Sequence, residues 1–152
     1  MAYRTAEARQ QLLDAVADAT DEIGFALACL GAAYEQLDEQ TAGRLEEQLY
    51  RPIQRAYGRA KRAHADFAAR HGLPARTFEP QPPGLPSSGA RGFIEDAAAA
   101  AAQADRGLTA LQDSPLWLEV GDLDLRAGLA EIRELVGGFP QPARELVRRL
   151  GR

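Results

Sequence analysis

At 152 residues the chain is the size of one domain that buries roughly 68–70% of its unfolded surface, so neither disulfides nor a metal is needed for stability. Its single cysteine excludes an intrachain disulfide, and with only two histidines the usual Cys/His zinc sites are excluded as well. A net charge of −4 argues against a dedicated nucleic-acid binder.

The charge is unevenly spread: −6 over residues 1–40, +5 over 41–76 and −3 over 77–152. The amino terminus carries no apolar signal core and no stretch reaches membrane-spanning length, so a soluble, cytoplasmic protein is expected, with no cofactor and no membrane partner.

The first predicted helix runs from Arg4 to Leu37. Leu13, Val16, Thr20, Ile23, Leu27, Leu30, Tyr34 and Leu37 alternate at steps of three and four, the seam of a helix packed lengthwise along another. Its flanks are small: Ala19, Ala26 and Ala33 on one side, Ala17, Gly24 and Gly31 on the other. From Ile23 to Ala33 only the Cys29 thiol is polar, and a helix apolar on every face is expected to be enclosed on every face. Cys29 is accordingly expected as an inert, buried thiol.

A second helix is predicted from Thr41 or Ala42 to Arg70 or His71, stopped by Gly72 and Pro74. Pro52 removes one of its hydrogen bonds, so a kink or restart is expected there. The short connection around Asp38–Thr41 makes the two helices antiparallel neighbours. In that register Arg59 and Arg62 fall near Asp21 and Asp18, which would consume most of the charge asymmetry inside the hairpin.

Residues 72–90 contain Pro74, Pro80, Pro82, Pro83 and Pro86 and read as an extended linker. At about 3.1 Å per residue it reaches roughly 60 Å, enough to cross a bundle whose second helix is about 45 Å long, or to enter a sister subunit. Leu73, Phe78 and Leu85 are expected to pin it down. A third helix follows at 91–113, alanine-rich with Phe93, Ile94, Ala97, Ala101, Ala104, Leu108 and Leu111 on one side. A short turn capped at Ser114 brings Trp117 in as a packing anchor. A helix from Leu123 to Val136 is capped by Asp122, and a last one spans Ala143 to Leu150. The prediction is one all-α domain over 1–152: a long hairpin (1–71), a Pro-rich crossover (72–90) and three shorter covering helices (91–152).

Ferritin-like bundles hold two metals with Glu-x-x-His pairs, but here Lys61 and Ala68 stand three residues before His64 and His71, so no metal site is expected. Arg51, Arg55, Arg59 and Arg62 form a basic stripe, with His64 two residues on, and these five are the candidate anion patch. Within it, Arg59-Ala60-Lys61-Arg62-Ala63-His64 has the Arg-x-x-x-x-His form and resembles the catalytic pair of HEPN-type ribonucleases. The resemblance covers six residues and implies action on an RNA phosphodiester, His64 moving protons and Arg59 holding the phosphate. It departs from the family pattern at Ala60, where a polar residue is usual. The leading expectation is a non-catalytic bundle acting through protein–protein contacts or homo-oligomeric assembly, as a homodimer. A small-molecule or anion-binding bundle and a HEPN-like ribonuclease are the alternatives.

Overall fold

A computed structural model describes residues 2–85 and 89–150; Pro86 of the linker and Arg152 of the basic carboxyl terminus lie outside them. Among the described residues the chain is all-α, with no strand. Helix α1 spans Ala2–Tyr34, α2 Glu39–Leu45 and α3 Arg51–Arg70, with a π-helical turn at Glu46–Tyr50 joining the last two. Beyond the linker come α4 (Gly89–Gln112), α5 (Pro115–Val120), α6 (Leu123–Gly137) and α7 (Pro140–Leu150).

The α1–α2 connection is set by Asp38, whose carboxylate accepts the Thr41 N–H at 2.9 Å and so starts α2 at Glu39, two to three residues earlier than expected. Those bonds, from the Thr41 backbone first and its hydroxyl second, hold the Asp38 carboxyl below its usual range. Pro52 produces neither a break nor a restart. The turn preceding it widens to π spacing, Arg51 N–H reaching back to Glu46 O, and the helix continues. A widened turn is one way for a helix to absorb a residue that cannot complete the i→i−4 ladder.

Helices α1, α3, α4 and α6 form a four-helix square. α1 packs on α3 and, more extensively, on α4; α6 packs on both α3 and α4. Tyr57 of α3 lies over Gly24 of α1, where a Cβ would come within 2.9 Å of the ring, so the small flank serves close approach there. The opposite flank, Ala19, Ala26 and Ala33, is buried, as are Ala97, Ala100, Ala101 and Ala104 of α4. Two thin faces allow long helices to lie close, and α4 supplies the cover that the first helix demanded.

Because α3 and α4 both run opposite to α1, the chain must return the full length of the bundle between them, and the linker does this. Phe78 stacks edge-on against His64, and Arg76 is ion-paired with Asp21. Gln81 donates to Asp21 O at 3.1 Å, the Cys29 thiol donates to Pro83 O at 3.5 Å, and Gly89 sits by Gln36 at the far end. Leu73 and Phe78 are half-buried as expected, but Leu85 is 86% exposed and pins nothing. With α4 as neighbour, burial and the charge of Asp96 push the Cys29 thiol up to about 11, so it stays protonated.

The remaining helices close the two ends. α5 is a six-residue helix rather than a turn; it seats Trp117, 7% exposed, beside the start of α1. Ser114 precedes it, but its hydroxyl bonds Leu111 O instead of capping the new helix. α7 begins at Pro140, three residues before the expected start, and packs on α4 and the π-helical turn. Among the described residues four helices therefore follow the linker where three were expected.

Enclosure of α1 is incomplete. Ile23, Gly24, Ala26, Cys29, Leu30 and Ala33 are buried, but Phe25, Leu27, Ala28, Gly31 and Ala32 are only half-buried. The expectation of a segment dry on all sides is thus corrected. The linker screens the Phe25–Cys29 side with a single strand of chain, and the Leu27–Gly31–Tyr34 side is left partly open, Tyr34 being 41% exposed.

Candidate functional site

The five candidate residues do not form one patch. Successive helical residues are about 100° apart, so Arg51, Arg55, Arg59 and Arg62 share one side of α3 while His64 lies about 140° from Arg59. The stripe is turned toward α6. Arg59 Nε lies 2.7 Å from Glu131 Oε2, and Arg51 is paired in its own turn with Glu46 at 3.3 Å. The expected pairing of Arg59 and Arg62 with Asp21 and Asp18 does not form, because the α1-facing side of α3 is occupied by Tyr57 and His64. Asp21 is instead taken by Arg76 of the linker.

Arg55, Arg59 and Arg62 line a recess of about 410 Å³ between α3 and α6, together with Gln54, Gly58, Glu131 and Leu135. Arg55 and Arg62 are exposed and make no ion pair among the described residues. The Arg59 guanidinium also packs on buried Gly128 of α6, where a Cβ would lie 3.0 Å from Nη2, so a side chain there would make the guanidinium shift.

His64 is 2% exposed and faces α1 and the linker, with the Phe78 ring centre 5.0 Å away at 88° and its Nδ1 without a hydrogen-bond partner. Desolvation first, and the Arg76 charge second, hold its pKa below the usual value, with Asp14 pulling weakly the other way. His64 is therefore a neutral packing group under the linker. Arg59 and His64, the pair that resembles the HEPN signature, reach different partners on different sides of α3 and do not converge on one phosphodiester. His71 likewise does not join His64; its Nε2 lies 2.9 Å from Asp122 Oδ2. Among the described residues no three His, Cys, Asp or Glu side chains gather as metal ligands.

Because the neutral form is favoured only in the fold, stability is highest above the usual histidine pKa and falls with pH as the unfolded chain takes up a proton that the folded chain resists. His64→Phe keeps a ring against Phe78 and removes that uptake. It is expected to flatten the decline in denaturation midpoint between about pH 7 and 5, a range bracketing the free imidazole. An unchanged decline would show that His64 does not carry it. His64→Ala, which an exposed histidine would tolerate, should cost about 1–3 kcal/mol by leaving a void under Phe78.

A second concavity was not read from the sequence. Pro140, Ala143, Arg144, Val147 and Arg148 of α7 face Ile94, Glu95 and Ala98 of α4 across a groove of about 470 Å³ with a mainly apolar lining. The signal was available: 140, 143, 144, 147 and 148 follow one helical stripe, with two arginines inside it. Arginines near the carboxyl end of a helix are equally accounted for by the helix dipole, so the stripe alone does not announce a groove. The chain matches no family model, no curated protein and no solved structure.

Proposed function

We propose that the chain is a non-catalytic helical scaffold that works by protein–protein contact, and that the α4–α7 groove is where it takes its partner. The carrying observation is the groove itself. Its floor is Ile94, Ala98, Pro140, Ala143 and Val147, and Arg144 and Arg148 stand on one wall against a single carboxylate, Glu95, on the other. An apolar floor with a basic rim is complementary to an amphipathic helix whose apolar stripe is flanked by acids, docked in the helix-in-groove mode. A second copy does not supply that helix. Its α7 repeats the arginines, and the acids of its α1 sit beside an apolar stripe already buried in its own core. The compartment that suits a lone buried thiol is the cytoplasm.

A fluorescent synthetic helix with a leucine stripe and glutamate flanks is the probe. It is expected to bind, and to lose about tenfold or more in affinity with Arg144→Glu/Arg148→Glu or with Ala98→Leu, which fills the floor. A scrambled peptide of the same composition binding equally well would remove the reading.

A homodimer is the second reading, favoured by the half-buried Leu27, Gly31 and exposed Tyr34, which follow one stripe on α1. Native mass spectrometry decides it: a dimer dispersed by Leu27→Glu supports assembly along α1, and a monomer at micromolar concentration discards it.

A further inference from the structure

The recess between α3 and α6 is separate from the docking groove, and its chemistry is different. Three guanidiniums and one carboxylate face it, a local charge of +2 in a chain whose total is −4. The carboxylate is already committed, since Glu131 holds Arg59 at 2.7 Å. What remains unspent are Arg55 and Arg62, seven residues apart and therefore on one side of α3, about 10 Å apart along its axis. Arg59 lies between them, packed on Gly128 and held by Glu131. A pre-positioned central guanidinium flanked by two free ones is the fork geometry that phosphate oxygens match, each arginine offering paired N–H donors.

The backbone beneath the arginines is open. Gly58 sits in the interior of α3, where glycine costs about 1 kcal/mol relative to alanine. Nothing in the protein lies within 4 Å of the place its Cβ would occupy. Helical Gly31, Gly43, Gly107 and Gly137 are open in the same way, so the glycine does not itself mark a ligand; it leaves this part of the recess lining unobstructed. The far end is less polar: Leu135 and the Gln54 amide line it.

We infer that the α3–α6 recess is a phosphate site, with Arg55 and Arg62 gripping the phosphate oxygens, Arg59 held ready by Glu131 and Gly128, and Gly58 leaving room for the group. No bond is made or broken. The phosphate is either free or carried on a small organic molecule whose remainder rests on Leu135 and Gln54. Arg51 takes no part, since Glu46 holds it.

The test uses the full chain, labelled with ¹⁵N, titrated at low salt with inorganic phosphate, AMP and a short oligothymidylate. Phosphate and AMP are expected to shift the Gly58 and Gly128 amides saturably. AMP binding about tenfold tighter than phosphate assigns the site to an organic phosphate, and equal affinities assign it to the free ion; either upholds it. Arg55→Gln/Arg62→Gln should weaken both ligands about tenfold or more. Gly58→Leu should block them while leaving the melting temperature the same or higher, so that lost binding is not lost folding. The inference is overturned if millimolar phosphate and AMP leave both amides unmoved, or if the arginine variant binds as the parent does. It is also overturned if only the oligothymidylate binds, with a steep salt dependence and shifts spread along α3, because that marks a diffuse polyanion surface and not a site.

Discussion

Phe67→Ala is expected to lower the unfolding free energy by about 3–5 kcal/mol, a large share of the stability of a domain this size. Phe67 is completely buried and lies in the core cluster that unites α1, α3, α4 and α6. Its ring is also the one that the last turn of α3 is built on. The His71 ring packs on it at 4.5 Å, and the Arg70 guanidinium sits 5.9 Å from its centre. Truncation removes the transfer energy of a full aromatic side chain and leaves a void lined by residues that are themselves fixed in helices, so little collapse can offset it. It also loosens the two residues that bind α6. Urea denaturation is the measurement: the midpoint should fall with an unchanged slope, and Phe67→Leu should cost far less. A truncation costing under about 1 kcal/mol would mean that this end of the bundle is not cooperatively packed.

How much of this was legible beforehand depends on what kind of information each feature needs. The seam on α1 needs only the helical period, so Leu13, Val16, Thr20, Ile23 and Leu30 were identified and are buried. Thr20 fits there because its hydroxyl bonds Val16 O at 2.7 Å, which satisfies the polar group locally. Periodicity does not say how many neighbours a helix has, and for that reason Leu27 and Tyr34, in phase with the seam, end up half-buried and exposed. The helix cap at Asp122 is local chemistry and was readable as such, whereas Asp38 was not named as a cap and the second helix was started two to three residues too late. Pro52 announced a disturbance, but not that a π-helical turn would absorb it.

The electrostatic layout was the least readable. Charge asymmetry between the first two helices is a fact of the sequence, but which acid meets which base depends on the angle between Arg59 and Tyr57 on α3 and on where α6 lies. α6 reaches its position only after the linker has crossed the bundle. Among the described residues the acid of α1 that is ion-paired, Asp21, finds its partner on that linker, in Arg76. A segment whose prolines exclude regular structure was read for its reach, and its side chains turned out to carry the clasp. The α4–α7 groove was missed for a related reason: each wall is an ordinary amphipathic helix, and the concavity exists only because the two meet.

Asp122 carries the joint between α3 and α6, and Asp122→Ala is expected to cost about 2–4 kcal/mol at neutral pH, combining a lost cap with a lost charged hydrogen-bond network. Its carboxylate accepts from the Leu125 N–H at 2.7 Å, which starts α6, and from Arg70 Nη2 at 2.8 Å and Nε at 2.9 Å. His71 Nε2 lies 2.9 Å from the same group. Partial burial acts to raise its pKa, but the Arg70, Leu125 and His71 bonds outweigh burial and hold it down at about 2, from the usual 3.8. The folded pKa is thus the lower one. The carboxylate stabilises the fold fully above the unfolded value, and that contribution, roughly 1–2 kcal/mol after allowance for solvent screening, disappears as pH falls from about 4 through about 2. Two variants separate the roles. Asp122→Asn retains a good cap and loses the charge, so it should recover about half of the alanine deficit at pH 7 and lack the acid decline between pH 4 and 2. Denaturation midpoints of the three proteins across that range provide the check. If Asp122→Asn and the parent lose stability in parallel on acidification, the charge of Asp122 is not what binds α3 to α6, and the cap alone accounts for the joint.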